Sequence, residues 1–243
     1  MSELSNYIDE YLKTEYTLKS TLKDSVQSSV YLYQKNDSAK QIVKISQKNR
    51  NDHVLRRLRG QHNKNTATIY EVCSNDEDVT VLEEYISGAT LRHIVEANGG
   101  TLKRELAVKY ALDICNGLVF IHSLGIIHRD IKPSNIIITE QGEAVIIDFG
   151  IARLTDDSKY ADTKNLGTAG YAAPEQFGIY QSGPVTDIYA VGVLLNELLL
   201  GVHPTIDTPK GKLGKVINKC IMAQMSKRYQ NVSELAEVLN KLL

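Results

Sequence analysis

The stretch His128-Arg129-Asp130-Ile131-Lys132-Pro133-Ser134-Asn135, followed downstream by Asp148-Phe149-Gly150, decides how this chain is read. The carboxylate Asp130 stands five residues before the amide of Asn135, across the turn that Pro133 makes. A second carboxylate, Asp148, ends the next apolar run. Two short strands, Asn135–Thr139 and Ala144–Ile147, are expected around the Gln141-Gly142 turn, so both motifs sit beside a hairpin.

The rest of the composition is neutral toward other chemistries. The chain has 243 residues, 42% hydrophobic content and a formal charge of −1, enough for one large domain or a two-lobed unit with a buried core. That charge gives no case for a nucleic-acid partner. Cys73, Cys115 and Cys220 are odd in number, far apart and free of any CxxC pair, which argues against zinc and against a disulfide framework. Cys115 and Cys220 fall in apolar helical patterns and are expected in the core. The N-terminus has no basic-then-apolar signal, and the apolar run Ala190–Leu200 is broken by Asn196 and Glu197, so no membrane segment is expected. The expectation is a soluble, cytoplasmic protein.

Periodicity divides the chain. Leu4, Ile8, Tyr11 and Leu12 fall at helical spacing within residues 1–15. Short β-rich runs follow at Val30–Tyr33, Gln41–Ile45, Ile69–Cys73 and Val79–Glu83, with a short helix at Asp52–Leu58 closed by Gly60. After Ser87-Gly88 the pattern is helical: a helix from Leu91 capped by Thr90, then Leu102–Leu124, Asp187–Leu200, Leu213–Met222 and Ser233–Leu242. An α+β fold results, with a β-rich lobe of residues 16–86, an α-helical lobe of residues 87–243, and residues 1–15 as a helical extension.

With these motifs in place, residues 16–243 resemble a bacterial Hanks-type serine/threonine protein kinase domain. The resemblance implies a two-lobed kinase fold with ATP and Mg²⁺, or Mn²⁺, as cofactors. It implies Asp130 as catalytic base, Asn135 and Asp148 as metal ligands, and Lys132 as the residue type of serine/threonine kinases. Lys44, at the end of Gln41-Ile42-Val43, matches the strand lysine that contacts ATP phosphates, and Ile42 stands where the family has an alanine against adenine. Glu84 and Ile86 take the place of the hinge, with Glu83 at the gatekeeper position. Leu22, Ser25, Ser28, Val30 and Ile137 complete the nucleotide set. In Gly167–Glu175, Thr168 is expected to hydrogen-bond Asp130 and Lys132, and Glu175 to pair with Arg228. Asp187 is expected to anchor the backbone of the catalytic loop. Thr155, Ser158 and Thr163 are candidates for autophosphorylation, with Arg129 available to a phosphate.

The sequence departs from the family at three places. Lys23, Ser25 and Ser28 replace the three glycines of the phosphate loop, and Asp24 adds a negative charge there. The helix glutamate that pairs with the strand lysine is missing: Asn51 holds its position, beside Asp52, only seven residues after Lys44. Asp52 is one substitute, and Glu10 or Glu15 of the N-terminal segment another. Little room remains between Gly201 and Leu213 for a substrate-docking helix. The reading is an ATP-dependent protein serine/threonine kinase of unknown protein substrate. The alternative is a pseudokinase acting as a nucleotide-binding or scaffold module, with a small-molecule kinase behind it.

Overall fold

A computed structural model describes residues 3–25, 28–48, 51–75, 77–156, 167–177 and 181–243. The chain forms two compact units, Met1–Asn63 with Ala67–Ile86, and Lys64–Thr66 with Ser87–Leu243.

The first unit is built on an antiparallel sheet of five strands in the order β1-β2-β3-β5-β4. These are β1 (Tyr16–Asp24), β2 (Ser28–Lys35), β3 (Gln41–Lys48), β4 (Ile69–Ser74) and β5 (Asp78–Glu84). Two helices accompany it, α1 (Glu3–Glu15) and α2 (Asp52–Leu58). β1 is absent from the sequence reading because Lys, Thr and Ser outnumber its apolar Tyr16, Leu18 and Leu22, and every residue after Tyr16 is exposed.

Side chains paired across neighbouring strands share a face, and the next residue along points the opposite way. Outside the irregularities at Leu18–Ser20 and Thr21–Lys23 of β1 and Ile69–Glu71 of β4, register assigns each paired residue to one side. Val43 pairs with Glu83, and Ile45 with Val81. Val30 pairs with Ile45, Leu32 with Val43, and Lys23 with Val30. Val72 and Ser74 pair with Val81 and Val79. This face carries α2, because Asp52 Oδ2 accepts from Ser74 Oγ at 2.7 Å and Arg56 Nη2 donates to it at 3.0 Å. The opposite face holds Ile42, Lys44, Leu82 and Cys73. There Ile8 and Leu12 of α1, with Tyr16, close a core over Ile42, Cys73 and Leu82. Where the sequence sets residues 1–15 apart as an extension, α1 instead supplies one side of this unit's core.

The second unit is helical around a small hairpin. α3 (Leu91–Ala97) starts at Thr90, whose hydroxyl accepts from His93 N–H at 3.2 Å. α4 (Arg104–Ser123), α5 (Pro184–Leu200), α6 (Gly211–Cys220) and α7 (Val232–Asn240) follow. β6 (Gly88–Thr90), β8 (Ile136–Thr139) and β9 (Ala144–Ile146) form one sheet, and β7 (Ile126–Ile127) pairs with β10 (Arg153–Leu154). α4 buries Ala107, Ala111, Ile114, Leu118 and Ile121. Lys64–Thr66 joins this unit because Asn65 Nδ2 donates to Ala144 O and Asn65 O accepts from Ile146 N–H. Gly117 of α4 lets that segment approach: a Cβ there would lie 2.7 Å from Asn65 O. All three cysteines are buried and free. No described helix is long and apolar enough to cross a membrane.

If α1 is part of the small unit's core, Leu12→Ala should destabilise that unit by about 2–5 kcal/mol. Native-state hydrogen exchange is expected to show the loss in β3 and β5, with α4 and α5 protected as before; unchanged β3 and β5 protection would contradict this packing.

Candidate active site

The chain between β7 and β8 is shaped from below by one buried carboxylate. Asp187, in the first turns of α5, is fully buried. Its Oδ2 accepts from His128 N–H at 2.9 Å and its Oδ1 from Arg129 N–H at 2.8 Å. His122 Nε2 lies 2.8 Å from Oδ2. Burial pushes the Asp187 carboxyl up, but the hydrogen bond and charge of His122 and the His128 N–H bond outweigh it and hold it below the usual carboxylate range. These bonds fix a strained backbone. Arg129 has φ of 67°, a conformation that non-glycine residues rarely adopt. Gln176 Nε2 donates to Arg129 O at 3.0 Å, and Arg129 Nε donates to Ile151 O at 2.7 Å. Neither Gln176 nor His122 is named by the sequence reading, because nothing local ties them to the motif.

The strained turn presents Asp130. Its Oδ1 accepts from Thr168 Oγ1 at 2.7 Å, and its Oδ2 accepts from Lys132 Nζ at 2.6 Å and Asn135 Nδ2 at 2.9 Å. Lys132 Nζ also donates to Thr168 Oγ1 at 2.7 Å. The structure thus brings together Asp130, Lys132, Asn135 and Thr168. Burial favours the protonated Asp130, but the bonds from Lys132 and Thr168 and the Lys132 charge prevail, and the carboxyl lies below its ordinary range. His128 stays beneath, its ring 5.3 Å from that of Phe149. Its complete burial pulls its imidazole toward the neutral form.

Asn135 and Asp148 are linked through the hairpin. Ile147 N–H donates to Asn135 O at 2.9 Å, so the residue before Asp148 is tied to Asn135. Asp148 is exposed, with φ of 66°, and its Oδ1 accepts from Gly150 N–H at 2.9 Å. Asn135 spends its Nδ2 on the backbone and side chain of Asp130. Its amide is therefore turned with Oδ1 as the acceptor, the atom a hard cation takes. Two protein oxygens, completed by phosphate and water, fit the way magnesium is bound beside a nucleotide. The half-exposed Ile137 belongs to the same unit, on β8 between the buried Ile136 and Ile138.

In the first unit the expected nucleotide residues are divided between the two sides of the sheet. Val30 shares the α2 face with Glu83, whose side chain is only 6% exposed. Ile42 and Lys44 lie on the α1 face. Ile42 is 2% exposed beneath Ile8 and Leu12. Lys44 Nζ pairs with Asp9 of α1. Asp9 is thus the acidic partner, in place of Asp52, Glu10 or Glu15; Asp52 is held by Ser74 and Arg56. The helical spacing of residues 1–15 carried the signal, since Asp9 follows the core residue Ile8. Ser25 and Ser28 are also committed: Ser25 N–H and Oγ donate to Ser28 O, and Ser28 N–H donates to Ser25 Oγ. Leu22 is half-exposed on β1, Glu84 N–H donates to Thr68 O at 2.9 Å, and Ile86 is half-buried at the end of the unit. Thr155 Oγ1 donates to Gly125 O at 3.3 Å, while Ser158 and Thr163 lie outside the described residues.

Beyond the site, the buried Glu175 and Arg228 form a two-pronged pair, Nη1 to Oε1 at 2.7 Å and Nη2 to Oε2 at 2.9 Å. It ties the segment after Thr168 to the chain before α7. Tyr171 hydroxyl donates to Glu197 of α5, a contact that sequence spacing does not announce.

Asp187→Asn should cost about 1.5–3 kcal/mol near neutral pH, the worth of a charged hydrogen bond. A folded-state pKa held below the unfolded value gives stability that is complete above the unfolded value and is lost as pH falls through the folded one. The gap in denaturant midpoint between wild type and Asp187→Asn is therefore expected to narrow below about pH 4; a gap constant down to acid unfolding would contradict the ionised Asp187.

A family model described as the protein kinase domain matches residues 15–243. A probable serine/threonine-protein kinase of Clostridium perfringens is 32% identical over 235 residues, covering 84% of this chain and 34% of that protein. One of Clostridium acetobutylicum is 33% identical over 207 residues, 74% of this chain and 31% of the relative. The probable serine/threonine-protein kinase PknB of Bifidobacterium longum is 42% identical over 127 residues, 51% of this chain and 18% of the relative. The chain spans about a third of the length of the two clostridial relatives. With the family model covering nearly all of it and the catalytic-loop geometry in place, this chain belongs to the protein kinase domain family.

Proposed function

We propose that the chain transfers the γ-phosphoryl group of ATP to a serine or threonine hydroxyl of a protein. The observation that carries this is the Asp130 carboxylate held ionised between Lys132, Thr168 and Asn135. The acceptor hydroxyl approaches Asp130, which orients its lone pair toward phosphorus. The new bond forms between the hydroxyl oxygen and the γ-phosphorus, the bond from that phosphorus to the β–γ bridging oxygen breaks, and ADP leaves. The hydroxyl proton passes to Asp130. Lys132 offsets charge on the transferring group, and Thr168 keeps Asp130 and Lys132 in register. Asn135 and Asp148 would hold the divalent cation, which neutralises phosphate charge; the oxygen donors suit Mg²⁺ and also accept Mn²⁺.

A carboxylate with a lowered pKa is a weak base. Its contribution is position, with the proton moving as the phosphorus–oxygen bond forms. The relatives' description as serine/threonine kinases and the Lys132 contact support a protein acceptor. Use of ATP as co-substrate would support a cytoplasmic location, and Thr155, Ser158 and Thr163 are the proposed positions of autophosphorylation.

Purified protein with Mg²⁺ and labelled ATP is expected to incorporate phosphate, and Asp148→Ala to lose it. Asp130→Asn should lower the rate by about 10²–10⁴-fold at similar ATP affinity. Absence of Asp148-dependent incorporation across a panel of protein acceptors would sink the reading. With Asp130 ionised throughout, no acid limb from this residue is expected between about pH 5 and 8; a limb in that range abolished by Asp130→Asn would contradict its depressed pKa.

A further inference from the structure

The two faces of the five-stranded sheet offer a nucleotide very different surroundings. On the α1 side, Ile42 and Leu82 are 2% and 4% exposed under Ile8 and Leu12, and the Lys44 amine is taken by Asp9. A pocket remains there between α1 and the sheet, but its lysine, Lys40, lies over the Tyr70 ring at 4.4 Å, and the Lys44 amine is spent. On the α2 side, Val30 and Ile45 remain half-exposed and lie opposite each other in register, an apolar strip that a flat base can cover.

The cation on that second side comes from β1. Lys23, at the irregularity that follows Thr21 in β1, pairs with Val30, which pairs with Ile45, so its local pairing puts the three on one face. Among the described strand residues held in register on that face, Lys23 is the only Lys or Arg, and Arg56 of α2 is committed to Asp52 and Ser74. Lys23 is exposed, and no described acidic side chain forms an ion pair with it. Asp24, the negative charge that counts against phosphate in the sequence, pairs with Ser29 and therefore points to the α1 side. Ser25 donates its N–H and Oγ to Ser28 O, and Ser28 donates its N–H to Ser25 Oγ.

We propose that Lys23, at the position of the first missing glycine, is the small unit's phosphate-binding cation, and that Lys44 is the anchor that fastens α1 to the sheet through Asp9. A lysine is well suited to the first task, as a compact charge on a flexible stem that reaches phosphate from an exposed strand. The second task explains why this chain has no helix glutamate for Lys44: the partner has been moved to α1 on the other face. The proposal rests on the phosphoryl-transfer reading above.

The test titrates a fluorescent ATP analogue with Mg²⁺ into the full chain carrying Lys23→Met, Lys44→Met, Asp9→Asn, or the last two together, with melting temperatures measured in parallel. Lys23→Met should weaken the analogue about tenfold or more at an unchanged melting temperature. Asp9→Asn and Lys44→Met should each lower the melting temperature, less than additively in the pair, and hold affinity within about twofold. Should Lys44→Met prove too unstable to purify, Asp9→Asn reads the same anchor. Lys44→Met that loses binding without losing stability, or Lys23→Met that binds like wild type, would overturn the assignment, as would a folded wild-type chain that binds no nucleotide. A wild type that binds in a Lys23-dependent way but transfers no phosphate would instead refute the phosphoryl-transfer reading and leave Lys23 in place.

Discussion

The large unit's site depends on a charge that the protein has taken out of water and surrounded with donors. Asp187 is fully buried, and its two oxygens accept the backbone N–H groups of His128 and Arg129, with His122 on one of them. A buried carboxylate is costly unless every lone pair is used, and a backbone with φ of 67° at Arg129 is costly unless its surroundings hold it. Each cost is offset by the other group. The carboxylate gains its donors only if the loop adopts the strained turn, and the turn persists because letting go would strand the charge. Asp130 inherits its direction from this exchange, and so do Lys132 and Asn135, which both bond to it.

In the small unit the governing constraint is the two-residue period of a strand. One residue of offset along β3 is the difference between Val43, opposite Glu83 on the α2 face, and Lys44, opposite Leu82 beneath α1. A strand does not place two successive side chains on one surface. Once α1 lays Ile8 and Leu12 over Ile42, Lys44 becomes the residue that meets Asp9. The same arithmetic separates Lys23 from Asp24 at the hairpin.

This contrast explains what could be read in the sequence. Asp130, Asn135, Asp148 and Thr168 were legible because each stands at a fixed step from a turn former or from another motif residue, and the steps survive folding as geometry. The helices of the large unit were legible for a related reason: α4 and α5 are long, and their apolar positions repeat. Gln176 and His122 were not, since each reaches the loop from a distant element with no local signature. The exposed β1 hid behind a polar composition, and without its register neither the face of Lys23 nor that of Lys44 could be assigned. A short motif such as Gln41–Lys44 tells which residues are present on a strand; only the pairing tells which side they serve.

The pattern of charges around Asp130 carries the argument one step further. A group meant to pull a proton off a neutral hydroxyl early in the reaction would be expected to have its pKa raised toward the operating pH. Here Lys132 and Thr168 act in the other direction, stabilising the anion and making it less basic. On the proposed phosphoryl-transfer reading, the same Lys132 that weakens Asp130 as a base would stabilise charge on the moving phosphoryl group, offsetting the lost proton affinity at the reacting phosphorus. An alcohol becomes acidic as its oxygen bonds to phosphorus, and a weak, well-aimed carboxylate is sufficient to take the proton then. On that reading, the site would align the acceptor first and accept its proton last.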